Sequence, residues 1–284
     1  DGEAGDRLMV VSFTLTGLDD AAPCPRVKVI IDGLDAGVAY LTLYRLAEGR
    51  QERVRGAVLT PVSSGFQILD VEAPFQTSTQ YRAELFDASL DTLGFTDTSG
   101  SVEIDVDTTW VHNPLDPWNA VEIDLSDSSG KALTRPVNGQ RYYPEQRVLA
   151  TFITSRRLGL QGVDLYFSTD DAVVAAKFEA MLGDYNSASI PVLCVRTPPL
   201  IDIPRTFNAG ILSPTKNPVN VHMGGTLRNW SMQADEAAPP FPGIVIPLLT
   251  RDDVDAAYAS RDALDAAYAT RLDIDRDFSL AGTA

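Results

Sequence analysis

The sequence is poor in the residues that most enzyme chemistry uses. Among 284 residues there are two cysteines and two histidines. Cys24 and Cys194 belong to no C-x-x-C. Spacing alone does not decide a disulfide between them, and two free, buried thiols in a protein assembled in a reducing cytosol are expected. His112 and His222 stand near no nucleophile elbow G-x-S-x-G. No spacing indicates a Ser–His–Asp triad, so both read as structural or hydrogen-bonding histidines. Gly224-Gly225 is followed by no Lys-Ser/Thr, which removes a phosphate loop. The expectation is a protein that is not an enzyme, with no cofactor and no metal site. Positive charge is also scarce: 23 Lys and Arg stand against 39 Asp and Glu, for a formal charge of −16 and a pI near 4.4. That balance disfavours nucleic acid, which needs a basic face, and anionic membrane surfaces. No apolar run approaches the roughly 18 residues of a membrane span, so no membrane insertion is expected. The opening DGEAGDRLMV shows no basic-then-apolar secretion pattern and no initiator Met, which leaves export open.

What is present is ordinary globular material, 44% hydrophobic and 22% charged, with room for two domains. The fold class expected is mainly β: an N-terminal immunoglobulin- or fibronectin-like sandwich, a second antiparallel β-barrel or sandwich with one inserted helix, and a C-terminal helical arm. Residues 1–107 read as short strands separated by turn residues: Leu8–Leu15, Arg26–Ile31, Tyr40–Leu46, Phe66–Glu72, Gln80–Phe86 and Ser101–Asp107. Residues 108–119, with the motif WVHNPLDPW, read as a stiff Pro/Trp junction whose aromatics Trp110 and Trp118 pack between domains. Residues 120–236 form the second domain. Val121–Leu125, Gln146–Thr154, Gly162–Ser168, Ile190–Arg196, Thr206–Leu212, Val219–Met223 and Asn229–Ala234 alternate like strands. Helix 171–182 begins at Thr169-Asp170-Asp171 and ends at Gly183. Residues 237–249, rich in proline, form an extended strap.

Residues 250–284 carry a ten-residue repeat: TRDDVDAAYA, SRDALDAAYA, TRLDIDRDFS. The aliphatics Val254, Leu264 and Ile274 and the aromatics Tyr258, Tyr268 and Phe278 are four apart within each unit, hence on one helical face. Thr250 with Asp253 and Thr270 with Asp273 fit a helix start. A straight helix would rotate this stripe by roughly 80° per unit. Either neighbours wrap it or it breaks into short capped turns. An apolar stripe needs a partner surface; we expect an arm that grips another subunit, against a segment that packs back on its own domain. The triplet Asp273, Asp275, Asp277 opens like a calcium loop, but its sixth and twelfth positions are Phe278 and Ala284 rather than Gly and Glu. With 39 acids, a carboxylate pair for glycoside hydrolysis is uninformative.

Two resemblances follow from these residues. YRAELFDASLDTLG resembles the F strand and following turn of a fibronectin type III domain, with Tyr81 at the corner tyrosine and Ala83 and Leu85 pointing inward; the usual strand-B tryptophan is missing. WVHNPLDPWNAVEIDL, PVLCVRTPP, ADEAAPPFPGIVIPLLT and the DAAYA units resemble the minor tail proteins of bacteriophages that infect actinobacteria, from about Trp110 to the end. A β-barrel with one helix is also similar in pattern to the ring-forming domains of tail tube and distal tail proteins. The resemblance implies a structural virion protein of the tail tip or baseplate, assembled in the host cytoplasm. Its partners would be copies of itself, as a ring or sleeve, and other phage tail proteins. The interaction residues named are Val254, Tyr258, Leu264, Tyr268, Ile274, Phe278, Trp110 and Trp118. The alternative is a carbohydrate-binding adhesion protein that recognises a host surface glycan through the sandwich module and the rings of Trp110, Trp118 and Trp230.

Overall fold

The computed structural model describes residues 11–145, 148–183, 190–199, 201–241, 249–277 and 280–281. The chain is mainly β, in antiparallel sheets. Eight strands come first: β1 (Ser12–Leu18), β2 (Arg26–Asp32), β3 (Tyr40–Ala47), β4 (Arg50–Arg53), β5 (Thr60–Pro61), β6 (Gly65–Asp70), β7 (Gln80–Phe86) and β8 (Thr92–Phe95). One sheet has the order β1-β2-β6; the other runs β4-β3-β7-β8, with β5 on β3. Alternation decides which side chains meet between them. Val27, Val29 and Ile31 leave β2 on one side and are fully buried; Leu41 and Leu43 of β3 and Tyr81, Ala83 and Leu85 of β7 face them in the same core. Each such aliphatic contributes roughly 1.5–3 kcal/mol on burial.

Two expectations shift here. Leu8–Val10 lie outside the described residues, and the first strand continues to Leu18. Ser101–Asp107 is not a strand: Val102 and Ile104 each make one bridge, to Thr79 and Phe75. Ile104 and Val106 still point into the core, so the alternation reported burial correctly, but single bridges to different partners do not make a ladder.

The second unit contains β9 (Thr109–Asn113), β10 (Asp116–Ile123), β11 (Val137–Tyr142), β12 (Thr151–Arg157), β13 (Val163–Thr169), α1 (Ala172–Leu182), β14 (Val192–Arg196), β15 (Thr206–Ile211), β16 (Thr215–Pro218) and β17 (Arg228–Glu236). The stretch expected as a stiff junction is therefore a strand–turn–strand. Its prolines misled the reading: Pro114 lies in the turn, and Pro117 falls where the β9–β10 register shifts, a position that needs no ladder donor. Val219–Met223, expected as a strand, ends in a single 3₁₀ turn, Val221–Met223.

Seven strands form one sheet in the order β10-β9-β14-β15-β17-β13, with β16 beside β17. The sheet curls into a half-barrel whose edges are laced together after β10: Leu125 bridges Phe167, and Ser126 N donates to the Tyr166 carbonyl at 2.7 Å. Helix α1 packs over these edges. Asp171 caps it, accepting from Val173 N at 2.7 Å, and Gly183 ends it at φ +76°. Its buried face is Ala175, Phe178 and Met181. The Phe178 ring sits edge-on to Phe167 and Trp230, at 4.9 and 4.8 Å between centroids. Trp230 is buried and donates its indole N–H to Thr169, so it is a core residue and offers no face to a sugar.

Candidate functional site

Three features stand apart from ordinary core. The first is a buried polar seam between the units. Asp70, at the end of β6, accepts from Arg45 Nη1 at 2.8 and 3.0 Å, from the Tyr81 hydroxyl at 2.9 Å and from Glu72 N at 3.0 Å. Burial would lower the Arg45 pKa, but Asp70 with Glu52 and Glu72 outweighs it and holds the guanidinium firmly charged. Burial, then Asp70, pushes the Tyr81 hydroxyl well up. The Tyr81 side chain thus grips a carboxylate. Arg55 Nε donates to Glu72 at 2.8 Å, and Arg55 Nη1 to the Phe241 carbonyl at 2.7 Å. From β14, the fully buried Arg196 crosses the seam. It donates to the carbonyls of Pro25 at 2.8 Å and Ala73 at 3.3 Å and lies 4.5 Å over the Phe75 ring.

Below Arg196 the seam brings Glu72, His112 and Cys194 together, all buried. Burial, then the nearby Arg196 and Arg55, depress the His112 pKa well below 6.5, so the ring is neutral. Burial, then Glu72, pushes the Cys194 thiol up. Cys24 and Cys194 are both free and buried. The sign of the His112 effect is definite. Below pH 6.5 the unfolded chain takes up a proton that the folded ring refuses. Stability is therefore full above that pH and lost as pH falls, by up to about 1.4 kcal/mol per pH unit. Urea midpoints of the chelator-treated chain between about pH 7.5 and pH 5 should show this slope, and His112→Gln should flatten it by one proton. An unchanged slope in the variant would contradict it.

The second feature is the repeat. It folds as three short helices, α2 (Arg251–Ala257), α3 (Arg261–Ala267) and α4 (Arg271–Arg276). Thr250, Ser260 and Thr270 cap them, and Thr250–Asp253 and Thr270–Asp273 are complete capping boxes. At Tyr258 and Tyr268 the backbone leaves the helical region, with φ −126° and −127°. That break resets the helical phase, which is why a ten-residue period keeps one face. Val254, Leu264 and Ile274 are all half-buried. Tyr258 and Tyr268, also half-buried, meet edge to face at 5.7 Å; the Tyr258 hydroxyl donates to that of Tyr268 at 3.1 Å, which donates to Asp277 at 2.6 Å. Hydrogen bonding to Asp277, then Tyr258, pushes the Tyr268 hydroxyl up. Phe278 lies outside the described residues. Two aspartates of the calcium-like triplet have other work: Asp273 caps α4, and Asp277 accepts from Tyr268.

Both ends of the repeat are held on its own chain. Asp253 is fully buried near Arg26, and Arg26 Nη2 donates to the Ala281 carbonyl at 3.2 Å. Ala281 packs with Cys24, Leu69, Val71 and Ala120, and Leu249 and the half-buried Trp110 lie against them. Trp110 thus joins the root of the repeat to the seam, whereas the half-buried Trp118 stands apart from this cluster, its backbone N–H on Asp116. Within the protomer, packing back is what the described contacts show, rather than an arm free along its whole length.

The third feature was only partly read in the sequence: a strand was expected over Gln146–Thr154, whereas the strand is Thr151–Arg157, and its partner Val137–Tyr142 and their exposure were missed. Strands β11 and β12 form a separate two-stranded hairpin in which every residue is exposed. Tyr142, Phe152 and Ile153 are 58%, 67% and 69% exposed, and Val148 and Leu149 near the tip 92% and 82%. Lys131–Leu158 carries six cations (Lys131, Arg135, Arg141, Arg147, Arg156, Arg157) and one carboxylate, Glu145, in a chain of net charge −16. A charge count by window would have found it. An isolated two-stranded hairpin is at best marginally stable in water, and an apolar, exposed one calls for a partner.

Elsewhere, an open groove of about 290 Å³ by the start of α1 is lined by the exposed acids Glu122, Asp124, Asp170 and Asp171, without a convergent polar constellation. Among the described residues no helix is long and apolar enough to cross a membrane. Compared with protein-family models, curated proteins and solved structures, the chain finds no match.

Proposed function

We propose that this chain is a structural protein of a phage tail tip or baseplate that assembles with copies of itself and with other tail proteins. The observation that carries the reading is the basic, apolar hairpin β11–β12 on an otherwise acidic protein: it is complementary in charge to the rest of a second copy and stands clear of its own core. On this reading β1–β8 are a fibronectin type III-like spacer, and the second unit is a barrel-like ring domain. The repeat is a C-terminal helical arm rooted on its own protomer, and the faces of α2–α4 away from that root are left for neighbours. No catalytic role is assigned. The sequence motifs that resemble actinobacteriophage minor tail proteins support the same reading.

The runner-up, a glycan-binding adhesion protein, has less to stand on, because Trp230 is core and Trp110 is tied to the seam. Quantitative peptide mass spectrometry on density-purified particles separates the two. The assembly reading expects this chain at a fixed, small integer ratio to other tail proteins. Recovery only from the soluble or cell-wall fraction would reject it.

A further inference from the structure

We propose that Glu72, His112 and Cys194 are the ligands of a buried zinc ion that joins the two units. Cys194 on β14 and His112 on β9 are directly opposed in the antiparallel register, so both side chains leave the sheet on one side. Glu72 comes from the other unit, just beyond β6. One ligand atom of each lies within 4.8 Å of the other two. A second observation is independent of that proximity: His112 is fully buried, and among the described residues neither ring nitrogen has a hydrogen-bond partner. A buried polar group without a partner costs roughly 1–3 kcal/mol, and a metal bond to one nitrogen removes that cost there.

The donor set selects the metal. Thiolate, imidazole and carboxylate together suit zinc, with bonds of about 2.0–2.3 Å; calcium and magnesium take oxygen alone. Ligand atoms on one tetrahedral zinc stand roughly 3.4–3.8 Å apart at these bond lengths, so the triangle contracts by up to about 1 Å on binding. Binding replaces the Cys194 thiol proton: the S–H bond breaks, the sulfur keeps the electron pair and binds Zn²⁺, and H⁺ leaves to solvent. No redox change is involved. The Cys194 thiolate and the Glu72 carboxylate together cancel the dication, so the loaded centre is neutral beside Arg55 and Arg196. Three protein ligands leave the fourth tetrahedral position to a water, and the burial of all three keeps that position away from bulk solvent and substrate, so the ion's role is to join the units; the inference stands whether or not the chain belongs to a phage tail.

The full chain, folded with zinc and dialysed exhaustively, should retain one zinc per chain by elemental analysis and should lose melting temperature on chelation. Cys194→Ser and His112→Gln should lose the metal, and Cys24→Ser should keep it. If either ligand variant fails to fold, the Cys24→Ser chain loaded with cobalt decides. There Cys194 is the sole thiol, so a thiolate-to-cobalt charge-transfer band supports the site and its absence overturns it. Substoichiometric zinc, or zinc that survives both ligand substitutions, also overturns it.

Discussion

Replacing Asn138–Arg156 by a two-residue Asn-Gly turn should leave a folded protomer that no longer assembles. Val137 and Arg157 are register partners, so a tight turn closes the remaining ends without strain. No described residue of the excised stretch belongs to a core cluster. The cost to the protomer should therefore stay within about 0.5 kcal/mol, as for substitutions away from core features. Association should be lost outright, because the deletion removes both the apolar anchors and the cations at once. The urea midpoint reads the first result and sedimentation velocity the second. A milder form, Phe152→Ser with Ile153→Ser, should weaken association by tenfold or more, since each buried anchor at an interface is typically worth over about 1 kcal/mol. If charge complementarity contributes, added salt should weaken the wild-type assembly as well. An unchanged oligomer after the deletion would end the self-assembly reading of this hairpin. A collapsed midpoint would show instead that the hairpin belongs to the fold.

Asp70→Ala should be the most damaging single change to the protomer. Asp70 is 1% exposed and accepts four hydrogen bonds, from Arg45 twice, Tyr81 and the Glu72 backbone. Its removal leaves a buried guanidinium with the half-exposed Glu52 as its remaining hydrogen-bonded carboxylate, along with an unpaired buried phenol. Breaking a buried pair from one side costs about 3–5 kcal/mol. Removing both charges costs less, so Arg45→Met with Asp70→Leu and Tyr81→Phe should recover much of the loss. A loss below about 1 kcal/mol for Asp70→Ala, the worth of an exposed pair, would mean that the network does not hold the seam.

Local signals in the sequence were legible where one face is buried. The alternation of β2, β3 and β7 was readable because Val27, Val29, Ile31, Leu41 and Leu43 all point to one core. Helix α1 was readable from both ends, at Asp171 and Gly183. The ten-residue repeat left two outcomes open, and the tyrosine breaks choose between them. Hairpin β11–β12 was misread for the converse reason. With both faces in water, nothing enforces an apolar–polar alternation, and its hydrophobic residues cluster at the tip end. Glu72, His112 and Cys194 were beyond reach. They are far apart in the chain, and only the pairing of β9 with β14 and the approach of the two units bring them together. For Trp230 the sequence left a sugar-stacking face open beside the packing reading, and packing uses the ring as core.

The contacts across the seam have an evolutionary consequence. Arg196 reaches the carbonyls of Pro25 and Ala73, Arg55 that of Phe241, Arg26 that of Ala281, and Thr206 that of Glu72. Every acceptor is a main-chain oxygen, which all twenty residue types carry. Substitution at Pro25, Ala73, Phe241 or Ala281 cannot delete the acceptor it supplies, whereas substitution of the arginines deletes the donors. Descendants of this chain are thus free to vary in sequence at these accepting positions while keeping the same contacts, with the constraint there carried by three guanidinium groups and one hydroxyl; the more exposed pairs Arg50–Glu236 and Arg205–Glu48 constrain both partners instead.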